Sequence, residues 1–76
     1  MTFEINLSSI EDVKTFVSAA GLASCDIDVR SGRYLVDAKS IMGLFSLDLT
    51  KPVAVEVHGS EEAALAFRNS IAALVV

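Results

Sequence analysis

The side chains able to do chemistry in this chain of 76 residues fall in few places. Ser8, Ser9, Glu11 and Asp12 crowd one stretch near the start, and Ser40 lies within Asp37-Ala38-Lys39-Ser40-Ile41-Met42-Gly43-Leu44-Phe45-Ser46-Leu47. A serine nucleophile needs a base to take its proton, and no histidine or lysine neighbours Ser9 in sequence. The spacing of Ser8-Ser9-Ile10-Glu11 matches a capping box, in which a serine hydroxyl and a glutamate carboxylate satisfy free amides at a helix start. His58 is the sole histidine, and alternation puts it with Ala54 and Glu56 on one strand face. A lone imidazole there makes neither a metal site nor an acid–base pair. The single cysteine, Cys25, has no partner for an internal disulfide and reads as a small buried strand residue. No metal, cofactor or enzymatic centre is expected from these residues.

Composition narrows the classes of function. A net charge of −4 disfavours roles that depend on attracting phosphate backbones or anionic lipid. The basic residues Lys14, Arg30, Arg33, Lys39, Lys51 and Arg68 are scattered and build no cationic helix face, so neither nucleic acid nor a membrane is expected as a direct partner. Apolar residues make up 53% of the chain, too many for a disordered tail, yet no apolar run is long enough to span a bilayer. One core over residues 1–76 is expected, in a cytoplasmic protein without a secretory signal.

Periodicity supplies the elements. Phe3, Ile5 and Leu7 alternate with Glu4 and Asn6, predicting a strand over 2–7 with one wet face. A helix follows the two serines, with Ile10, Val13, Phe16, Val17 and Ala20 on its buried face and Gly21 placed to end it. Cys25, Ile27 and Val29, then Tyr34, Val36 and Ala38, predict two strands joined by a hairpin turn at Ser31-Gly32. A short helix runs from Ser40 to about Phe45, and a loop covers Asp48 to Pro52. Val53, Val55 and Val57 form the fourth strand. Ser60 with Glu61 and Glu62 starts the last helix, which buries Ala64, Phe67, Ile71 and Leu74. The order βαββαβα, with every strand apolar on one face, predicts an α+β fold: an open-faced sandwich of a four-stranded antiparallel sheet with three helices on one face.

This order, together with Lys39-Ser40-Ile41-Met42-Gly43 directly after a two-strand hairpin, resembles HPr, the small phosphocarrier family of the bacterial sugar phosphotransferase system. The resemblance runs from about Phe3 to Leu74. In that family a Gly-Ile-His-Ala-Arg-Pro-Ala stretch carries the phosphate. Aligned without gaps back from Ser40, this chain offers Leu7-Ser8-Ser9-Ile10-Glu11-Asp12-Val13 there, so Ser9 takes the histidine position and Glu11 the arginine position. Imidazole forms a phosphoramidate able to pass its phosphate onward, whereas a serine ester is not. Glu11 and Asp12 also repel a phosphate; unit charges 4 Å apart interact by about 4 kcal/mol at an effective dielectric near 20. Ser9, Glu11 and Asp12 are therefore expected to form a degenerate carrier site.

The resemblance gives Ser40 a second role beyond capping, because a serine at this position of the family is phosphorylated from ATP by HPr kinase/phosphorylase. A phosphate would add about −1.5 to −2 charges at a helix start that accommodates them. The positions matching Ile41, Met42 and Phe45 contribute to a docking patch, for which an adaptable methionine beside an aromatic is suited. The implied function is that of the catabolite-repression paralogue of HPr: a regulatory phosphoprotein, not an enzyme. Its implied partners are the kinase, a LacI-type transcription regulator or a phosphotransferase-system protein, and its expected state is a monomer or weak dimer. Two alternatives stand beside it, a constitutive interaction module in which Ser40 only caps, and an unorthodox phosphocarrier acting through His58 or Ser9.

Overall fold

Alternating apolar residues become four strands and the two 3.6-periodic stretches become the long helices. The computed structural model describes residues 1–76. Its order is β1 (Thr2–Ile5), α1 (Ile10–Leu22), β2 (Asp26–Ser31), β3 (Tyr34–Asp37), α2 (Ile41–Phe45), β4 (Val53–His58) and α3 (Glu61–Ser70), closed by a 3₁₀ turn at Ala72–Leu74. The sheet is antiparallel throughout, with strand order β1-β4-β2-β3. Ile5, Ile27, Val29, Val53, Val55 and Val57 turn to one face and are buried there with Val13, Phe16, Ala20, Leu44, Ala64, Phe67 and Ile71 of the helical layer. Phe16 of α1 meets Phe67 of α3 edge to face at 5.7 Å, which locks these two helices over the sheet centre. No helix is long and apolar enough to cross a membrane.

Several boundaries depart from the periodic reading. β1 ends at Ile5, the last residue paired with β4, opposite Val53; on its outer edge Asn6 donates its N–H to Leu74 O. Gly21 lies inside α1 without positive φ; the helix continues to Leu22, and Ala23 closes it by donating to Ala20 O. The hairpin turn is Gly32-Arg33, since Ser31 already pairs with Tyr34. Gly32, at φ 60°, is the only residue with positive φ, and a glycine there followed by an ordinary residue is the pattern of a type II′ turn. Cys25 precedes β2 and is half-buried beside Gly59, where any Cβ would stand 2.6 Å from the cysteine Cβ. α3 ends at Ser70, so Leu74 belongs to the 3₁₀ turn and not to the helix face. Beyond it Val75 bridges to Ile5, and Val76 donates its N–H to Glu4 O.

Candidate functional site

The start of α1 is held by short polar side chains. Ser9 is the N-cap, its Oγ accepting from the Asp12 N–H at 3.1 Å. The Asp12 carboxylate returns to Ser8, accepting from its N–H at 3.0 Å and its Oγ at 2.9 Å. The reciprocal box therefore uses Asp12, and Glu11 is left exposed to solvent; the serine that caps is one position later than a Ser8–Glu11 pairing requires. Both serines are thereby occupied in organising the helix start, the Ser9 hydroxyl by the Asp12 N–H and the Ser8 hydroxyl by the Asp12 carboxylate. Two carboxylates in the first turn give this corner a negative sign.

α2 presents a different arrangement. Ser40 is its N-cap, with Oγ accepting from the Gly43 N–H at 3.1 Å, and its own N–H donates to Asp37 O at 3.0 Å. The residue is exposed. Gly43 lies where a Cβ would approach Ser40 Oγ to 3.0 Å and Val36 Cβ to 3.3 Å, so the absent side chain lets α2 close on both the serine and β3. The helix buries Leu44 completely, half-buries Ile41 and turns Met42 (77% exposed) and Phe45 (45% exposed) outward. Five residues allow little more than one turn, so one buried anchor is what the geometry permits.

These two corners share a surface. A shallow groove of about 350 Å³ is lined by Leu7, Ser8, Ser9, Ile10, Val13, Phe45, Leu49 and Thr50. Ile10, expected in the core, is 61% exposed, because the first residue of α1 overhangs the end of the sheet and reaches the groove rim instead. Periodicity places it on the wrong side, and the groove is completed by Leu49 of the following loop. In that loop Asp48 accepts from the hydroxyl and the N–H of Thr50, which hold its carboxyl below the usual carboxylate range. No group of His, Cys, Asp and Glu side chains is arranged to hold a metal ion.

His58 lies at the far end. Thr2 pairs with Glu56 and Ile5 with Val53, so the chain leaves β1 for Ser9 beside the start of β4, whereas His58 ends β4. Its Nε2 is 2.9 Å from Asp28 Oδ2 on the open face. This partner is hidden from the sequence because the adjacency of β2 and β4 is a property of the topology.

A sequence model of the PTS-HPr family, described as the PTS HPr component phosphorylation site, matches residues 12–76. Among solved structures, the chain is similar to HPr-C-His from Thermoanaerobacter tengcongensis, at 31% identity and a TM-score of 0.75 over 96% of this chain and 90% of that one. It is also similar to the phosphocarrier protein HPr from Bacillus anthracis str. Ames, at 26% identity and a TM-score of 0.69 over 92% of this chain and 94% of that one. No curated protein matches.

Proposed function

Since the chain belongs to the HPr family of the phosphotransferase system, we propose that it is a regulatory member of it, one that has lost the carrier histidine and is switched by phosphorylation of Ser40. The observation that carries this reading is the contrast between the two corners of one surface. At the carrier position Ser9 is committed to a helix cap and flanked by Glu11 and Asp12, a setting hostile to a transferable phosphate. Ser40 is an exposed cap beside the exposed Met42 and Phe45, so a phosphate on its Oγ would change the charge at the border of an apolar patch without a refolding of the core. Lys39 lies next to it, and no acidic residue occupies the first turn of α2.

In this reading HPr kinase/phosphorylase supplies the phosphate in the cytoplasm. Ile41, Met42 and Phe45 dock a LacI-type regulator or a phosphotransferase-system protein that reads the phosphate with arginine or lysine. A constitutive docking module is the second reading, favoured by the hydrogen bond in which Ser40 Oγ already serves α2. Carrier chemistry at His58 is disfavoured by its place at the other end of the sheet and its pairing with Asp28.

Intact-mass measurement separates these readings. Wild type and Ser40→Ala are incubated with ATP and the host HPr kinase, and in parallel with Enzyme I and phosphoenolpyruvate. One phosphate from the kinase, absent in Ser40→Ala and absent with Enzyme I, is the expected result. No phosphate in either reaction would leave the constitutive module, and acid-labile phosphate lost in His58→Ala would establish a carrier.

A further inference from the structure

The two outer edges of the sheet are not equivalent. Beside β1, Leu74 O takes the Asn6 N–H, Val75 bridges to Ile5, and Val76 donates to Glu4 O, so that edge is covered. Beside β3 nothing pairs. Tyr34 (67% exposed) and Leu35 (54% exposed) lie along this bare edge, with neither a proline nor a lysine in the strand to blunt it.

The backbone of β3 fixes which groups face outward. A two-residue turn makes Ser31 and Tyr34 the closing hydrogen-bonded pair, and Ala38 donates to Ile27 O, so the even-numbered residues address β2. The N–H and C=O of Leu35 and the N–H of Asp37 are directed away from it.

The charges supply the rest. Across the open face Asp28 stands directly opposite Glu56 on one side and Asp37 on the other. Glu56 is neutralised by Arg30 at 2.8 Å and Asp28 by His58 at 2.9 Å when the imidazole is protonated, but Asp37 has a like charge opposite and no cation. Its carboxylate accepts only the Lys39 N–H. Arg33, exposed in the turn at the other end of the strand, has no carboxylate partner.

We infer that β3 is a self-recognition edge, on which a second copy of this chain pairs antiparallel about a two-fold axis at Leu35. That register sets Leu35 against Leu35, Tyr34 against Val36, and Arg33 against Asp37 twice over. It uses the outward backbone groups of Leu35 as a hydrogen-bonded pair, and it gives each unpaired charge its counter-ion. A shift of one step to either side puts Leu35 opposite Asp37 or opposite Arg33 and loses both ion pairs. The edge is short, so the dimer is reversible and forms at high protein concentration. Nothing in this pairing rests on phosphorylation of Ser40.

Sedimentation velocity on a series reaching about 1 mM protein tests this. Wild type is expected to shift toward twice the monomer mass, and the Leu35 amide to gain protection from hydrogen exchange with concentration. Arg33→Asp brings two carboxylates together at each end of the paired strands, and Asp37→Arg brings two guanidinium groups together there. Each alone should weaken association by roughly tenfold or more. An equimolar mixture of the two variants restores both ion pairs, one of them with reversed polarity, and should dimerise again. If Asp37→Arg fails a circular-dichroism check, Asp37→Asn keeps the acceptor for Lys39 and should weaken the dimer by a smaller factor. A wild type that stays monomeric at the top concentration overturns the inference and leaves the edge to a strand of another protein. An Arg33→Asp variant that dimerises as wild type does, or a mixture that remains monomeric, overturns it equally.

Discussion

Ser40 carries two demands on one oxygen. Its Oγ accepts from the Gly43 N–H, which ends one of the free amides of α2, and a kinase would need the same atom as nucleophile. Separating the two roles requires replacements that differ in only one of them. Ser40→Ala removes cap and acceptor together and should cost about 1 kcal/mol of stability. Ser40→Asp keeps a capping oxygen and adds a charge, so its urea midpoint should stay near that of wild type while the kinase finds nothing to modify. A Ser40→Ala protein as stable as wild type would mean that α2 does not depend on its cap. At this scale the sequence is legible where the signal is local. Ser40 as a cap follows from its place before a short apolar run, whereas the outward patch of Met42 and Phe45 is implied by the family resemblance. The reciprocal partner of Ser9 escapes the spacing because Glu11 and Asp12 are chemically equivalent until the helix start is known to one residue. The Asp28 partner of His58 is unreadable for a different reason, since it depends on which strands are neighbours.

α2 shows how little an element needs when its position is fixed from both sides. Its single turn is tied to β3 through the Ser40–Asp37 backbone bond and through Gly43 against Val36, and to the core through Leu44. The division of labour along its five residues predicts opposite outcomes for neighbouring substitutions. Leu44→Ala empties a fully buried site and should cost about 2–5 kcal/mol, with partner binding falling only as the protein unfolds. Met42→Ala, at an exposed site, should change stability by no more than about 0.5 kcal/mol while weakening capture of a docking partner. Denaturant unfolding and binding measured side by side check the pair; a loss of stability in Met42→Ala would make the residue part of the core. Element type is legible throughout the chain, because every strand alternates and both long helices keep their period. The ends are not. Gly21 has the residue type of a helix stop but lies inside α1, where Ala23 makes the terminal bond, and Leu74 keeps helical spacing although α3 has already ended at Ser70. In both cases a backbone partner decides the boundary, and the pattern of side chains does not record it.

At the scale of the whole molecule, an open sheet has two edges to manage, and this one covers β1 with Leu74–Val76 while leaving β3 bare. The asymmetry decides what assembly can look like. With one free edge, two-fold pairing consumes the edge of each partner and growth stops at a dimer; with two free edges, each added copy leaves another edge behind. Removing residues 74–76 should therefore do two separable things. It deletes the bonds from Asn6 to Leu74 and from Val76 to Glu4 and the half-buried Leu74 and Val75 side chains, which together should cost about 2–4 kcal/mol, within the stability of an ordinary domain. It also bares the outer N–H and C=O groups of β1. Urea unfolding reads the first effect. Sedimentation velocity reads the second, in which the truncated chain should form species beyond a dimer at concentrations where the full chain stops at two. Arg33→Asp in the truncated chain should then cut growth at β3 alone, since β1 lies at the other side of the sheet. A truncated chain that stays folded and grows no further than the full one would show that the last residues stabilise β1 without guarding it.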